Sequence, residues 1–258
     1  MVKTRLDVLM MEKSLVESRS LAQRLVMAGK VRVNGEVVLK SSASVERDVE
    51  IKLEQGPKYV SRGGEKLEGA LQAFNIDVNG CTCADVGAST GGFTDCMLQN
   101  GARRVYAIDV GKGILHWKLR QMVEVVVMEQ TNARYVDKLP EEIQFTCIDA
   151  SFISLKTLLP VVKNWLASPA GVVTLIKPQF EAGKKQVSRG DGVIRDPEIH
   201  RQVLEEILSF AQSLGFGVRG LIRSPLLGPK GNAEFLAWFN YPGSISELEG
   251  MIDTAMIK

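Results

Sequence analysis

The segment from Cys83 to Thr94 constrains the fold of this chain more than any other. It reads Cys-Ala-Asp-Val-Gly-Ala-Ser-Thr-Gly-Gly-Phe-Thr: a short apolar strand that ends near an acid, a tight glycine loop and the start of a helix. This pattern is typical of the entry to a nucleotide-type ligand site in an open α/β sheet. The alternative is an ordinary strand-to-helix turn, because a glycine loop alone is a weak signal.

The spacing of the glycines narrows the class of ligand. Gly87, Gly91 and Gly92 give G-x-x-x-G-G, which differs from the G-x-G-x-x-G fingerprint of dinucleotide sites, and no Walker lysine follows. Glycine lets the backbone approach a ligand where a Cβ atom would collide with it. The loop therefore suits a ligand without a pyrophosphate. S-adenosylmethionine (SAM) is the commonest such ligand in this architecture and is the cofactor we predict.

Strands and helices are predicted to alternate after residue 59, which indicates a parallel sheet covered on both faces. Strands are predicted at 82–86, 105–109, 125–128, 145–149 and 172–177, and helices at 65–74, 92–100, 113–121, 154–166 and 198–213. The last two strands, 217–222 and 234–239, have no helix between them. The fold class is therefore α/β: a Rossmann-like sheet that is mostly parallel and has an antiparallel last strand, as in SAM-dependent methyltransferases.

The first 58 residues predict a small α+β unit. Ser18 is placed to cap a helix, Val26 and Met27 belong to its expected buried face, and Gly29 fits its end. Two short strands follow around Asn34-Gly35, which is the strongest short-range signal for a hairpin.

The expected domains are 1–58 and 59–258, joined by a linker at about 55–60. Residues 1–66 carry 13 Lys and Arg against 9 Asp and Glu, whereas the whole chain has a net charge of only +2. This basic excess hints at a polyanionic partner for the N-terminal unit. A chance asymmetry of a solvated surface is the alternative.

Composition limits the class of protein. The longest apolar runs, such as 171–176, are far shorter than a membrane span, and the N-terminus lacks the apolar region of a signal peptide. We therefore expect a cytoplasmic protein without a membrane span. The cysteines form no Cys-x-x-Cys pair, and the only two histidines lie far from them in sequence. Reduced, buried thiols and no metal site are expected for Cys81, Cys83, Cys96 and Cys147.

Candidate cofactor residues lie at strand ends. The glycine loop follows Asp85, and Asp109 ends the second strand, where a carboxylate can accept hydrogen bonds from both ribose hydroxyls. Asp109 could instead cap the next helix, and Asn132 could either contact adenine or act as a cap. The residues expected at the cofactor are Asp85, Gly87, Ser89, Gly91, Gly92, Phe93, Asp109, Asn132 and Asp149.

Two kinds of base methylation are disfavoured. The fourth strand ends in Ile148-Asp149-Ala150-Ser151-Phe152, without the Asp/Asn-Pro-Pro-aromatic motif of enzymes that methylate exocyclic amines. Methylation of pyrimidine C5 needs a cysteine nucleophile. Cys147 lies inside this strand, where burial is the better interpretation.

Four charged residues, in contrast, can converge beside the cofactor. Lys66 lies in the helix before the first strand, Asp149 and Lys177 end strands four and five, and Glu234 begins the last strand. A ribose hydroxyl is a poor nucleophile and benefits from a base. Desolvation or a second cation lowers the pKa of a lysine and makes the amine a usable base. Each residue also has a simpler alternative, a solvated helix lysine for Lys66 and a strand-edge charge for Glu234.

The chain resembles the TlyA (hemolysin A-like) family of rRNA 2′-O-methyltransferases from its start to about residue 241. The N-terminal unit resembles the S-four RNA-binding domain through Arg5-Leu6-Asp7, Ser18-Arg19, Ala22, Gly29 and Val31–Gly35. The remainder is similar to FtsJ-like methyltransferases through Ser61–Leu67, Asp85–Thr94, Asp149–Ser154 and Lys177–Glu181.

The resemblance implies SAM-dependent methylation of a ribose 2′-hydroxyl, of cytidine by family membership, in ribosomal RNA or ribosomal subunits. The family's catalytic Lys-Asp-Lys-Glu set would fall on Lys66, Asp149, Lys177 and Glu234. The expected RNA-binding residues are Arg5, Arg19, Arg24, Lys30 and Arg32, together with Lys184, Lys185 and Arg189 in a loop that could close over RNA. The alternatives are a non-catalytic RNA-binding or ribosome-assembly factor and a membrane-active hemolysin.

Overall fold

The computed structural model describes residues 3–54, 56–183 and 192–257. The chain divides into two compact units, Met1–Lys58 and Tyr59–Lys258, and each is described by itself. Three of the predicted RNA-binding residues, Lys184, Lys185 and Arg189, lie outside the described residues.

The first unit combines two helices with short antiparallel strands. Its elements are β1 (Lys3–Arg5), α1 (Leu6–Glu12), α2 (Arg19–Met27), β2 (Val31–Val33), β3 (Glu36–Val37), β4 (Ser44–Glu46) and β5 (Ile51–Leu53). Strand β1 pairs with β4, and the other three strands form a sheet in the order β3-β2-β5. A small core holds the unit together: Leu6, Met10, Ala22, Val26 and Val31.

Local signals in this unit are confirmed, with one error. The Ser18 hydroxyl accepts a hydrogen bond from the Leu21 N–H at 3.2 Å and caps α2. Gly29 follows the helix with φ +68°, the left-handed conformation expected after a helix end. Met27, however, is 64% exposed. The buried face is centred on Ala22 and Val26, which are four residues apart, and Met27 lies about 100° further round the helix.

The second unit is built on a seven-stranded sheet. Its strands are β6 (Thr82–Val86), β7 (Arg104–Ile108), β8 (Val125–Met128), β9 (Ile143–Ile148), β10 (Leu166–Ile176), β11 (Gly217–Arg223) and β12 (Phe235–Tyr241). They lie in the order β11-β12-β10-β9-β6-β7-β8. Strand β12 runs antiparallel to both of its neighbours, and the pairs from β10 to β8 are parallel. The predicted fold class is confirmed.

Helices cover both faces of this sheet. They are α3 (Gly63–Ala73), α4 (Gly92–Gln99), α5 (Trp117–Arg120), α6 (Leu155–Lys163), α7 (Pro178–Glu181), α8 (Pro197–Ser213) and α9 (Glu249–Met256), with short 3-10 helices at Ala133–Tyr135 and Pro229–Gly231. Helices α3 and α4 pack on one face, and α6, α8 and α9 pack on the other. Alternate residues of β6 enter the two cores, Ala84 and Val86 on one side and Cys83 on the other, which is the period of a strand.

Helix α5 is much shorter than the predicted 113–121. Its start is delayed because the Glu129 carboxylate accepts hydrogen bonds from the N–H groups of Gly113, Ile114 and Leu115, at 2.7–3.0 Å. These groups would otherwise belong to the first turn of a helix. The carboxylate thus holds the segment after β7 as a loop, with its own pKa lowered to about 2, chiefly by the hydrogen bond from Arg120.

The cysteines are free thiols, as expected, and three of them are buried, whereas Cys81 is partly exposed. Burial raises the pKa of the Cys147 thiol well above its ordinary value, so this residue is a poor nucleophile. Within residues 3–54, 56–183 and 192–257, no group of three or more His, Cys, Asp and Glu is arranged to hold a metal ion. No helix in the same residues is long and apolar enough to cross a bilayer.

Candidate active site

Two adjoining cavities open at the carboxyl edge of the large sheet. They lie beside β6 and β9, where the strand order reverses and where ligands bind in open α/β sheets. One cavity has a volume of about 790 Å³ and the other about 440 Å³. Residues common to both linings mark the junction between them: Gly87, Ser89, Asp149, Ser151 and Phe152.

The glycine loop needs its glycines for two different reasons. Gly87 has φ +85°, and a Cβ atom there would lie 2.7 Å from the carbonyl oxygen of Asp149, so the loops after β6 and β9 approach each other only at glycine. Gly91 has φ +96° and faces Leu115 and Leu119, which a Cβ would overlap. Gly91 lines neither of the two cavities. The clash with these leucines shows that the shape of the loop requires glycine here, and the assignment of Gly91 to the cofactor stays a prediction.

Asp85 presents a buried acceptor to the larger cavity. It is fully buried, and its Oδ2 accepts a hydrogen bond from the Thr94 hydroxyl at 2.6 Å. The other oxygen, Oδ1, has no hydrogen-bond partner among the described residues. Burial raises the pKa of this carboxyl to about 7, and the nearby Asp149 and Asp109 add to the rise. An amine-bearing ligand such as SAM would satisfy this acceptor, so the residues present fit that cofactor.

Asp109 connects the loops after β6 and β7. Its carboxylate accepts hydrogen bonds from the N–H of Ser89 at 2.9 Å and of Gly111 at 2.7 Å. Helix α5 is capped by His116 instead, so Asp109 does not act as a helix cap. Asn132 caps the 3-10 helix through a 3.2 Å hydrogen bond from the N–H of Arg134. Both residues line the smaller cavity.

The four charged residues form two ion pairs on the wall of the larger cavity. The Nζ of Lys66 donates to Oε2 of Glu234 at 2.6 Å, and Glu234 is 1% exposed. The Nζ of Lys177 lies 2.6 Å from Oδ1 of Asp149 as an ion pair without the alignment of a hydrogen bond. All four side chains line this cavity.

Comparison with known proteins agrees with this arrangement. Residues 59–241 match the family model described as FtsJ-like methyltransferase, and residues 4–51 match that of the S4 domain.

The chain belongs to the FtsJ-like methyltransferase family.

Relatives that match over most of the chain confirm the resemblance to TlyA. YqxC of Bacillus subtilis, a protein provisionally assigned as an rRNA methyltransferase, is 46% identical over 95% of this chain and 88% of its own length. The 16S/23S rRNA (cytidine-2'-O)-methyltransferase TlyA of Mycobacterium tuberculosis is 42% identical over 92% of this chain and 89% of its own length. A solved protein from Streptococcus thermophilus, provisionally assigned as a hemolysin, is 45% identical, with TM-score 0.75 over 98% of this chain and 94% of that one.

Three residues of this FtsJ-like site were not predicted from the sequence. Ser151 accepts a 3.0 Å hydrogen bond from the Nζ of Lys177. Gln179 is buried, and its amide donates a long hydrogen bond of 3.4 Å to Oε1 of Glu234. Ser151 and Gln179 sit inside quoted motifs, but a lone serine or glutamine has no spacing that reveals its partner.

Phe152 is the third missed residue. It is 90% exposed, its backbone has φ +63°, and its ring packs 4.8 Å from that of Phe180. An exposed aromatic residue in a left-handed conformation is uncommon. It lines both cavities of the FtsJ-like site, so its ring is available to a ligand there.

The RNA-binding residues expected in the S4 domain differ in their contacts within that domain and in their exposure. The fully buried Asp7 accepts hydrogen bonds from Arg5 and Arg19, and the one from Arg5 contributes most to holding the Asp7 pKa well below its usual value. Arg32 pairs with Glu54 at 2.5 Å. Arg24 is exposed and Lys30 is half-buried.

Proposed function

We propose that this protein transfers a methyl group from SAM to a ribose 2′-hydroxyl, of a cytidine, in ribosomal RNA. The observation that carries the proposal is the pairing of Lys177 with Asp149 and of Lys66 with Glu234 on the wall of one cavity. Two lysines held by two acids beside a cofactor loop suit a reaction that removes a proton from a weakly acidic hydroxyl.

The cofactor is assigned to the junction of the two cavities. Gly87 allows close backbone approach, Oδ1 of Asp85 is free to accept from the ligand's amine, and Asp109 faces the smaller cavity for the ribose hydroxyls. Asn132 and the apolar Ile153 and Leu158 line the space assigned to adenine. When bound, SAM supplies an electrophilic methyl group on its sulfonium.

The four charged residues have distinct proposed roles. Lys177, which Asp149 and Ser151 hold in place, orients the ribose hydroxyl. After its ammonium has lost a proton to solvent, the neutral amine would accept the hydroxyl proton as the methyl group passes from the sulfonium to the ribose oxygen. Asp149 stabilises the ammonium that forms. Lys66 and Glu234 are mutually neutralising and nearly buried, so they fix the floor of the cavity and keep charge balanced around the reacting oxygen.

The substrate side favours an unpaired nucleotide. The exposed ring of Phe152, which packs against the half-buried ring of Phe180, offers a surface against which a splayed-out base can stack. The S4 domain would grip the RNA backbone through cations such as Arg24 and Lys30, because phosphate contacts position RNA without reading its sequence. The name of the M. tuberculosis relative supports cytidine and ribosomal RNA. Ribosomal subunits are the proposed partners, which would place the protein in the cytoplasm.

The test is methyl transfer from SAM labelled in its methyl group to ribosomal subunits and free rRNA from a host that lacks the modification. Digestion to nucleosides should yield labelled 2′-O-methylcytidine. Label in a base, or in no nucleoside although SAM binds, would contradict the proposal, and the second result would favour the non-catalytic RNA-binding alternative. Dye-loaded liposomes that stay intact in the presence of the protein would exclude the alternative of a membrane-active hemolysin.

A further inference from the structure

The exposed aromatic side chains of this protein are confined to one edge of one sheet. The chain has nine Phe, four Tyr and three Trp, all within the part that the structure describes. Only Trp117 (66%), Tyr135 (72%) and Phe152 (90%) among them are exposed. They follow the carboxyl ends of β7, β8 and β9 respectively. Such large rings are usually buried, so three together at the ligand edge mark a recognition surface.

Trp117 and Tyr135 belong to the flank of this edge rather than to the cavities. The N–H of His116 donates to the carbonyl of Thr90 at 3.1 Å, which fixes Trp117 beside the glycine loop. Tyr135 ends the 3-10 helix capped by Asn132. Neither ring lines the cavity of 790 Å³ or that of 440 Å³. A cofactor in those cavities therefore does not account for the exposure of the two rings.

Cations lie beside these rings, with two carboxylates nearby: Asp95, 3.8 Å from the Nζ of Lys118, and Asp137, exposed two residues after Tyr135. The guanidinium carbon of Arg134 lies 4.7 Å from the centre of the Tyr135 ring, and Lys112 and Lys118 are exposed on the segment that carries Trp117. Aromatic faces interleaved with cations are typical of proteins that bind single-stranded nucleic acid, because bases stack on the rings while cations follow the phosphates. A protein partner would be expected to bury apolar area without these cations.

We propose that Trp117 and Tyr135 form a second RNA-contacting surface, on which unpaired nucleotides next to the target stack. This inference rests on the proposed function, since it takes RNA as the substrate. Phe152, at the cavity junction, follows a strand end at the same edge of the sheet, and the proposed surface would hold the RNA on the cofactor side of the target nucleotide. It adds RNA contacts of the methyltransferase unit to those expected of the S4 domain.

Substitution at Trp117 separates stacking from simple apolar contact. Trp117→Leu keeps apolar volume but removes the π face, and Trp117→Phe keeps a ring. We expect Trp117→Leu and Tyr135→Leu each to raise KM for rRNA by about fivefold or more, with kcat and the Kd for SAM unchanged. Trp117→Phe should stay near wild type. Val123→Ala, which changes an 87% exposed residue before β8, is the matched control and should have no effect.

Fluorescence tests the contact without turnover. Trp165 is buried and Trp238 is half-buried, so Trp117 provides the solvent-exposed emission. A single-stranded twelve-nucleotide oligocytidylate should quench this emission in wild type but not in Trp117→Phe, and a duplex of equal length should quench it less. Equal quenching in both proteins, or none in wild type, overturns the proposal.

Three further results would also overturn it: an unchanged KM in Trp117→Leu, a weakened affinity for SAM in that variant, or a wild-type dimer in sedimentation that Trp117→Leu dissociates. The first would show that the ring does not contact RNA, the second would assign it to the cofactor, and the third to a second copy of the chain. Failure of wild type to methylate any rRNA would instead count against the proposed function, and quenching would still decide the stacking contact.

Discussion

At the scale of single residues, Asp85 holds the most strongly perturbed carboxyl of the site. Its pKa is raised to about 7, mainly by burial, from an ordinary value of 3.8. Between these two pH values the folded protein keeps a proton that the unfolded chain has released. The contribution of Asp85 to the free energy of unfolding must therefore fall as pH rises from about 4 to 7, and it changes no further above pH 7.

Asp85→Asn removes this dependence because the amide does not ionise. We expect the wild type to lose on the order of 4 kcal/mol of unfolding free energy across this window relative to the variant. Urea denaturation of both proteins, without SAM, from pH 4.5 to 8 measures it. Parallel curves would show that Asp85 titrates at an ordinary pH.

The buried pair of Lys66 and Glu234 predicts an asymmetric mutational response. Lys66→Met leaves the carboxylate of Glu234, 1% exposed, without its cation, which should cost about 3–5 kcal/mol of stability. The double variant Lys66→Met, Glu234→Gln should recover much of this loss. Lys156→Met is the matched control, because its ion pair with Glu206 is exposed and should contribute at most about 1 kcal/mol. Equal losses for the two single variants, measured by chemical denaturation, would refute the account.

The four charged residues of the site were predicted from the sequence, but the two ion pairs that they form were not. Lys66 and Glu234 are 168 residues apart in the chain, and their contact exists only because α3 lies against the start of β12. Ser151 and Gln179 escaped notice for the same reason. A strand end can be read from local pattern, whereas a side-chain partner depends on tertiary packing.

At the scale of elements, the contact between α3 and α4 positions Lys66. A Cβ on Gly92, the first residue of α4, would lie 2.8 Å from the backbone nitrogen of Gly64 in α3 and 2.3 Å from the Ser61 hydroxyl. Backbone cannot yield as a side chain does. Gly92→Ala should therefore push the helices apart, lower stability by about 1–3 kcal/mol and slow methyl transfer.

Gly250→Ala is the matched control for Gly92→Ala. Gly250 also lies in a helix, α9, but a Cβ there meets nothing within 4 Å. The substitution should raise stability by roughly 0.5–1 kcal/mol, since alanine favours a helix over glycine. Thermal denaturation and single-turnover rates of both variants would check the pair. An unchanged rate and stability in Gly92→Ala would contradict the close helix contact.

Element prediction succeeded where the signal was periodic and failed where a distant side chain intervened. The strand β6 and the loop after it follow from apolar residues and glycines that are adjacent in sequence. The start of α5 does not follow from such local residues. Glu129, which comes just after the next strand, accepts hydrogen bonds from the N–H groups of the predicted first turn of α5. That interaction has no local signature.

At the scale of the whole molecule, the S4 domain should supply salt-dependent affinity for RNA. Each cation that contacts a phosphate contributes about one to the slope of log K against log salt concentration. Arg24→Ala and Lys30→Ala should each reduce this slope by about one. Arg219→Ala, on β11 of the other unit, should leave it unchanged. Identical slopes for all four proteins, measured by filter binding to rRNA, would remove these two residues from the RNA surface.

The central claim is that Lys177 acts on the ribose hydroxyl rather than on the cofactor. The most direct measurement compares wild type with Lys177→Met in two assays: the equilibrium Kd for SAM, and single-turnover methyl transfer to unmodified rRNA. The account predicts a Kd for SAM within about twofold of wild type and a rate lowered by at least about 100-fold, the usual contribution of a general base. Wild-type transfer by Lys177→Met, or loss of SAM binding together with transfer, would contradict it.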